Sequence, residues 1–583
     1  MYGKKGRVKF ELSGAEINAP TEWQDMNILA QFDNDNVQAN ISTDTFTFVL
    51  DAYTKLIAHI DDGLTGGVGI FESPEFKIIG FNDTNNELIF SGMVDLASNI
   101  EIDEFSKTIK SKIKKDNGLN SLDDRLSALT YGWLENQGYF KNSDYKEIEY
   151  VVEKKINSFE ILTTSIIMYL MLKEIAEASK DTSEKIAVAQ ALVAQASIGS
   201  GISAALYAVA VAIIQVAYTA LLLATVVDLG KNLINTFVLP KRKAKTISLE
   251  KLISEVARYL GYSFETTVSD MSKIYYLPSN LQFDEVGIKG FVERVHGTEK
   301  GIPNVTDYGY SVIDMFNLVR TTFNGRFAIV DDVLHFHNEY SDFWLKQSTF
   351  VLPNVQLRPT KYNTDFNANF LVEFNTDSSD DWTIDNFLGT VYEVITEAKI
   401  IDVKKRKALK GLERITVNCA LGNKKTSLNA FEKFLRTVAN VMDGVIDTFG
   451  GNGNLEKSIK DKVNILKISS NNYNLPKLLR YSGDNLQQRN LLSAKYLYDN
   501  YYFGRSMVEN SYFGQKKIYE NIKIPFGFND FLNFINNSYF YTQDGKVGKM
   551  EKIEYNINGD FAICSFWIRE PYTYNLKEIK IEP

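Results

Sequence analysis

The sequence predicts an α+β multidomain protein, in which β-barrel or β-sandwich domains are interrupted by an inserted hydrophobic α-helical hairpin. Short runs of β-branched and aromatic residues, separated by turn residues, occur near both ends of the chain. Helical periodicity dominates several segments between them. One stretch, from Ile186 to Val227, contains no charged side chain. A length of 583 residues predicts several folding units rather than one.

The amino-acid composition and the net charge limit the classes of protein to which this chain can belong. The hydrophobic content of 44% and the charged content of 23% are those of a folded chain. The net charge of −9 argues against a general nucleic-acid binder, and no specific nucleic-acid binding is expected. The short basic runs 110–115 and 404–407 are interpreted as solvated faces of strands or turns. The N-terminus turns polar at once and lacks the apolar core of a secretory signal.

The N-terminal part is predicted to consist of strands spaced by Gly, Asn and Asp at intervals of about ten residues, a spacing typical of a small barrel or sandwich. A helix follows, because apolar residues recur at helical spacing from Leu119 to Trp133. The predicted strands are 7–12, 26–32, 46–50, 76–79 and 87–90.

The uncharged stretch is the most unusual element of the chain. It breaks once, at Gly199-Ser200-Gly201, and the part from Ile202 to Val227 exceeds the roughly 20 residues that cross a hydrocarbon core. Three interpretations are open: a buried core helix, a membrane-inserting hairpin, or helices that bury one another between subunits. The basic cluster 241–243 at its exit favours the membrane hairpin. The residues assigned to a membrane-insertion or lumen segment are Ile186, Gly199, Gly201, Ile202 and Val227, and those assigned to a hinge are Gly199, Ser200, Gly201 and Gly230.

Helices and strands alternate beyond the stretch. An amphipathic helix is predicted over 247–260, closed by Gly261 as a left-handed cap. A second helix over 310–322 precedes two strands across an Asp331-Asp332 turn. The predicted domains are 1–115, an N-terminal β-barrel-like unit; 116–156, a helical connector; 157–245, the hydrophobic helical insertion; 246–345, an α/β domain; 346–425, the first part of a second β-barrel-like domain; 426–545, a helical or mixed region; and 546–583, strands completing a β domain.

No group of residues forms a recognisable catalytic motif, so no enzymatic activity, cofactor or metal is expected. His335 and His337 lie on one face of a predicted strand, but a third metal ligand at the usual spacing is missing. The acidic pairs 331–332 and 380–381 occur in turn contexts. Cys419 and Cys564 lie in apolar strand-like segments, where buried free thiols are expected.

Four segments carry a resemblance to a known family: 250–264, 315–320, 325–336 and 548–555. Their succession of amphipathic helix, glycine and aromatic strand, then helix, strand, Asp-rich turn and strand, with a late strand pair, resembles the tail hub (baseplate hub) proteins of tailed bacteriophages. The resemblance implies β-barrel domains of the tail-hub type and a homo-oligomeric ring, commonly a trimer. It also implies the tail tube, tape measure, and spike or fibre proteins as partners, and the virion as location after synthesis in the bacterial cytoplasm.

The resulting hypothesis is a structural virion protein at the distal tail, whose helical hairpin contacts the host membrane during genome delivery. A plain hub does not need the inserted block, which is similar to apolar loops in the tail-tip proteins of some short-tailed phages. Two alternatives are a bacterial pore-forming toxin with a hydrophobic hairpin and a peptidoglycan-degrading tail enzyme.

Overall fold

The computed structural model describes residues 8–32, 40–81, 86–153, 241–281, 301–303, 311–394, 412–503 and 516–569. Gaps within these ranges fall at 22, 63–66, 68, 70–71, 97–99, 116–118, 347–349, 356, 359–360, 363–368, 385–390, 429–431, parts of 434–452, 471–472, 488, 536 and 557–558. The described chain is mostly β-sheet with shorter helices, an α+β architecture of several sheets, which confirms this level of the fold prediction. None of its helices has both the length and the apolar character needed to cross a membrane.

The described residues of the N-terminal unit form ten strands and one α-helix. Helix α1, Asp51–Asp62, was not predicted; it buries Ala52, Tyr53 and Leu56, and it follows directly on a strand-like run that obscures its period. The strands are β1 (Val8–Leu12), β2 (Ala15–Ile17), β3 (Asn27–Gln31), β4 (Asn40–Thr43), β5 (Phe46–Phe48), β6 (Glu75–Phe81), β7 (Asn86–Val94), β8 (Glu101–Asp103), β9 (Thr108–Ser111) and β10 (Ile113–Lys115).

The next part combines helices with short strands. Its helices are α2 (Leu119–Ala128), α3 (Tyr131–Asn136), α4 (Leu249–Leu260), α5 (Val312–Phe323) and α6 (Asp342–Lys346). Its strands are β11 (Lys146–Val152), β12 (Arg242–Ser248), β13 (Ser263–Thr266), β14 (Ile274–Leu277), β15 (Gly325–Val330) and β16 (Val333–Asn338).

Local sequence signals explain the ends of these elements. The Ser248 hydroxyl caps α4 by accepting a hydrogen bond from the Lys251 amide, and Gly261 ends the helix at φ 90° in the left-handed region. Asp331 and Asp332 both have positive φ, 49° and 60°, as the two-residue turn between β15 and β16 requires. The predicted helices 247–260 and 310–322 and this hairpin are therefore confirmed, with small shifts of their ends.

The remaining elements alternate across the C-terminal part. Its strands are β17 (Val351–Leu352), β18 (Lys361–Tyr362), β19 (Asn369–Phe374), β20 (Val391–Val394), β21 (Leu412–Val417), β22 (Ala420–Leu421), β23 (Asn423–Lys424), β24 (Leu466–Ile468), β25 (Lys477–Ser482), β26 (Asn485–Leu486), β27 (Lys517–Pro525), β28 (Tyr539–Thr542), β29 (Val547–Asn556) and β30 (Phe561–Arg569). Its helices are α7 (Asp381–Ile384), α8 (Leu455–Lys460), α9 (Ala494–Leu497), which continues as a π-helical turn over Tyr498–Tyr502, and α10 (Phe528–Ile535).

One large sheet joins the two ends of the chain. Its main path runs β18-β27-β30-β29-β3-β4-β10-β7-β6-β1-β2, so that C-terminal strand β29 pairs antiparallel with N-terminal strand β3. In this register Ile553 lies opposite Ala30, and Tyr555 lies opposite Ile28. The side chains of both units share one hydrophobic core, in which Ile28 and Ile553 are fully buried.

A second sheet, β22-β25-β14-β12-β11-β24-β23, with β26 beside β25, crosses the middle of the protein. Three further three-stranded sheets are β13-β16-β15, β20-β19-β21 and β5-β9-β8. Helices α4 and α5 pack with β19 and β21 in another large core, which contains Leu252, Val256 and Phe316.

Several predicted boundaries are wrong. The connector 116–156 is not wholly helical, because Ile148 and Tyr150 alternate inward on strand β11. The helix predicted over 119–133 is two helices, since Thr130 caps α3. The insertion does not extend to residue 245, because β12 belongs to the second sheet.

The second β domain is also differently composed. Strand β17 pairs with β28 and β18 pairs with β27, both within the segment 426–545, whereas β19, β20 and β21 form their own sheet against the helical core. The reason is burial: Phe370, Val372 and Phe374 belong to the helical core, where β19 contacts α9 and the neighbouring strand β21 contacts α5.

We expect the N-terminal and C-terminal units to unfold together. Ile553→Ala should lower the free energy of unfolding by about 2–5 kcal/mol, because it removes a fully buried side chain from the shared core. Urea unfolding followed by circular dichroism provides the measurement. The matched control Ile563→Ala, on the neighbouring strand and 37% exposed, should cost much less. Equal losses from the two variants would contradict a shared core at this position.

Candidate functional site

The two ends of the apolar segment meet in one ladder. Strand β11 ends at Val152, strand β12 begins at Arg242, and the two are antiparallel neighbours, with Tyr150 opposite Arg242. Residues 154–240, here called the insertion, therefore leave and re-enter the second sheet at adjacent positions. An insertion of this kind joins two paired strands as a hairpin loop does, whatever its length.

Ion pairs cross this ladder. Lys241 Nζ lies 2.9 Å from Glu149 Oε2, and Lys243 Nζ lies 2.6 Å from Glu147 Oε1. The basic cluster 241–243, interpreted from sequence as the flank of a membrane segment, is instead partly neutralised by carboxylates on the facing strand. Its members are half-exposed to exposed, so solvent screens each pair and the pairs contribute little stability.

The chain is held firmly where it leaves the sheet. The Glu153 amide donates to Ile468 O at 2.7 Å, and the Trp382 indole N–H donates to Glu153 O at 2.7 Å. Lys425 Nζ donates to Glu153 Oε2 at 2.9 Å and to Glu432 Oε1 at 2.5 Å. These four side chains, Glu153, Trp382, Lys425 and Glu432, are called the root clamp.

Burial gives the root clamp its strength. The Lys425 side chain is 2% exposed, and the two carboxylates that it bridges are each 12% exposed. A buried ion pair contributes little net stability compared with apolar packing, but loss of one partner leaves a charge without compensation in a low dielectric. Displacing Glu153 would therefore cost more free energy than the ion pair itself contributes to the stability of the fold.

A second buried ion pair positions Trp382. Lys477 Nζ donates to Asp380 Oδ2 at 2.6 Å, and both side chains are almost completely buried. Asp377, in the same loop, accepts hydrogen bonds from the Ser379 hydroxyl and the Leu475 amide. Burial acts to raise the pKa of Asp377, but these hydrogen bonds and the Lys477 charge outweigh it and lower the pKa. The segment before helix α7, which carries Trp382, is thus tied to strand β25.

Lys462 adds a titratable group beside the root clamp. Its side chain is 4% exposed, and burial lowers its pKa to about 8. Glu432 acts in the opposite direction, whereas the charges of Lys425 and Lys241 lower the pKa further. The charge on this part of the clamp therefore changes between neutral and alkaline pH.

His335 and His337 lie close together, as predicted for one strand face. His337 Nε2 is 3.5 Å from His335 Nδ1, and His335 Nδ1 is 3.8 Å from Glu265 Oε2. However, His337 Nδ1 accepts the Thr267 amide N–H, which places the proton of the neutral ring on Nε2. Nε2 then has no lone pair for a metal. Within the described ranges no group of three His, Cys, Asp or Glu residues is arranged to hold a metal ion.

The residues predicted from sequence as membrane-insertion and hinge positions lie outside the described residues. They are Ile186, Gly199, Ser200, Gly201, Ile202, Val227 and Gly230. Cys419 and Cys564 are buried free thiols, as predicted. Asp331 and Asp332 form a turn, but Asp380 does not lie on a solvated turn, because it is the buried partner of Lys477.

The root clamp was not predicted from the sequence. A signal was present only for the neighbouring ladder of β11 and β12. Glu147 and Glu149 alternate along one segment, and Lys241, Lys243 and Lys245 alternate along another, at the spacing of facing strands. Pairing these two patterns would have located both ends of the insertion. No local pattern indicates that Lys425 bridges Glu153, because these residues are far apart in sequence.

Comparison with known proteins assigns no family. No protein-family model matches the sequence. No curated protein matches it at a significant level.

We expect Lys425→Met to lower the free energy of unfolding by about 3–5 kcal/mol, since Glu153 and Glu432 would lose their buried bridge. Chemical denaturation is the measurement. The control Lys460→Met removes an ion pair with Glu456 on a half-exposed side chain and should cost about 1 kcal/mol or less. A loss for Lys425→Met no larger than this would contradict the role of the clamp.

Lys462→Met should alter the pH dependence of stability. The unfolded lysine titrates near pH 10.5 and the folded one near 8, so the unfolded state binds more protons between these values. The stability of the wild type should therefore rise from pH 8 to 10.5 relative to that of the variant. Thermal unfolding across this range measures the difference. Lys462→Arg, which keeps a charge that does not titrate there, should lose the same slope; a slope that persists in both variants would refute the assignment.

Proposed function

We propose that this chain is a structural protein of a bacteriophage tail, a hub at the distal end that joins the tail tube to spike or fibre proteins. We further propose that its insertion contacts the host membrane during genome delivery. The observation that carries the proposal is the mounting of an insertion with a long uncharged stretch between two paired strands, with a buried clamp at its root.

The root clamp supports a mechanical role. A flexible attachment would let an apolar segment collapse onto the nearest surface of its own chain. Here Glu153 is fixed by backbone, indole and ammonium contacts at once, so the point of departure is constrained. A rigid body that presents an apolar segment from a defined position suits a protein that must deliver it in one direction.

The continuity of the large sheet supports the hub. In a ring of copies, each subunit contributes an N-terminal and a C-terminal β unit, and these must keep a constant relative position. Five residue pairs between β3 and β29, together with a common hydrophobic core, hold the two units of this chain in one frame. Tail-hub proteins use two β units per subunit in this way, as the resemblance implies.

Burial energetics explain why assembly matters. The uncharged stretch carries many large apolar side chains, and each is worth about 1.5 kcal/mol or more when removed from water. Such a segment must be sheltered by other protein until it meets a bilayer. We propose that neighbouring copies and the tail lumen provide this shelter.

A pore-forming toxin would also insert into a membrane. The location of the protein therefore distinguishes the two functions. The hub function requires the protein in purified virions and its gene beside genes for the tube, tape measure and fibres. Detection by mass spectrometry of virions is the decisive test. Absence from virions would refute the hub, and a zymogram that clears cell-wall substrate would favour the tail-enzyme alternative.

We expect the full chain to release dye from liposomes under conditions that expose the insertion, such as mild heating or low detergent. A variant in which residues 154–240 are replaced by Gly-Asn-Gly should not, because Tyr150 and Arg242 are already paired and a short loop closes the ladder without strain.

The control for this experiment is folding. The variant should keep the β-rich circular dichroism spectrum and the unfolding midpoint of the parent, since the deletion leaves both strands and the ion pairs of Glu147 and Glu149 in place. Equal dye release from the parent and the folded variant would refute a membrane role for the insertion.

A further inference from the structure

An acidic hairpin in the N-terminal unit presents the most exposed aromatic side chain among the described residues. Strands β8 and β9 are joined by a turn at 104–107, and Phe105 at its tip is 99% exposed. The turn is rigid, because Asp103 Oδ1 accepts the amides of Phe105 at 2.9 Å and Ser106 at 3.1 Å. The Ser106 hydroxyl, together with these two amides, lowers the pKa of Asp103.

Exposure of an apolar side chain to water is unfavourable in free energy unless the side chain binds another surface. A fully exposed phenylalanine on a well-ordered turn gains nothing from its own fold, whereas aromatic side chains on rigid loops are typical anchors of protein interfaces. Glu104, next to it, is exposed and makes no ion pair with any of the described residues. The tip is therefore an apolar knob beside an unpaired carboxylate.

A cleft of about 400 Å³ lies in the C-terminal unit. Its apolar wall is formed by Leu352, Val355, Leu357, Tyr519 and Ile568. A cavity of about 150 Å³ can hold a benzene ring, so this cleft has room for a phenylalanine and part of its hairpin.

The rim of the cleft is basic. Lys517 lies on it and forms no ion pair within the described part of the chain, while Lys546 pairs with Asp544 at 2.9 Å. The lining of the cleft contains three cations, Lys517, Lys546 and Arg569, and one anion, Asp544, whereas the turn 103–107 contains two anions and the cation Lys107. Cleft and turn therefore carry net charges of opposite sign, and both present apolar side chains.

We infer that the hairpin tip of one copy docks in the C-terminal cleft of a second copy, with Phe105 in the cleft and Glu104 facing Lys517. The knob and the cleft are different surfaces of one chain, so the contact is head-to-tail. Repeated around an axis, such a contact closes a ring in which the N-terminal unit of each copy meets the C-terminal unit of the next. The inference rests on the proposed hub function for ring closure, and it adds the residues that make the contact.

Cysteine crosslinking of the full chain tests this contact directly. Glu104→Cys combined with Lys517→Cys should give a ladder of disulfide-linked multimers on a non-reducing gel under mild oxidation. The native Cys419 and Cys564 are buried and do not compete. The matched control pairs Glu104→Cys with Lys523→Cys, six residues further along β27, about 20 Å away, and should give no ladder.

Two substitutions examine the chemistry of the contact. Adding Phe105→Ala to the cysteine pair should slow crosslinking at least tenfold, whereas adding Phe561→Ala, another exposed phenylalanine remote from the knob and not among the cleft residues, should not. In the chain without added cysteines, Glu104→Lys or Lys517→Glu should each weaken self-association measured by analytical ultracentrifugation. The double charge swap should restore it.

Each of the following results would overturn the inference. The first is a ladder of equal intensity from the control pair, and the second is crosslinking that is indifferent to Phe105→Ala. If copies form a ring without the predicted ladder, the contact is wrong and the hub proposal stands. The third is a chain that stays monomeric at every concentration, which removes both the contact and the ring.

Discussion

The pairing of β11 with β12 is the constraint on which the middle of the protein depends. These two strands lie at the centre of the second sheet, with β24 on one side and β14 on the other. Because their register is fixed by five facing pairs, the long segment between them must begin and end within one ladder. Both ends of the insertion are therefore fixed at adjacent positions of the second sheet.

Buried charges then make this geometry specific. The buried ion pairs of Lys425 and Lys477 occupy positions where apolar packing in place of both partners would stabilise the fold as well or better, whereas loss of the lysine alone leaves a buried carboxylate without compensation. The charges contribute specificity, because each buried ammonium group is stable only in a geometry that brings its particular carboxylate partners within hydrogen-bond distance. Together they fix the segment around helix α7, which carries Trp382, and the backbone at Glu153. Specific placement of one short segment is the result.

Sequence reasoning succeeded where the cause of structure is local. Gly261 and Ser248 mark the ends of a helix through their own backbone and side-chain chemistry, and the Asp331-Asp332 turn follows from adjacent residues. It failed where partners are distant. Nothing near Asp380 indicates that a lysine almost a hundred residues later will bury it, and nothing near Phe370 shows that its strand packs on a helical core. The carboxylate partners of Lys241 and Lys243 were not predicted for the same reason, since they belong to a segment before the insertion.

The β3–β29 pairing also affects folding during synthesis, because the two strands are made at different times. A ribosome adds about 5–20 residues per second, so strand β29 emerges roughly half a minute to two minutes after β3. During that interval the N-terminal sheet has an open edge at β3, with backbone groups that any passing strand can pair with. The order of synthesis therefore exposes newly made chains to exchange of C-terminal strands between neighbours.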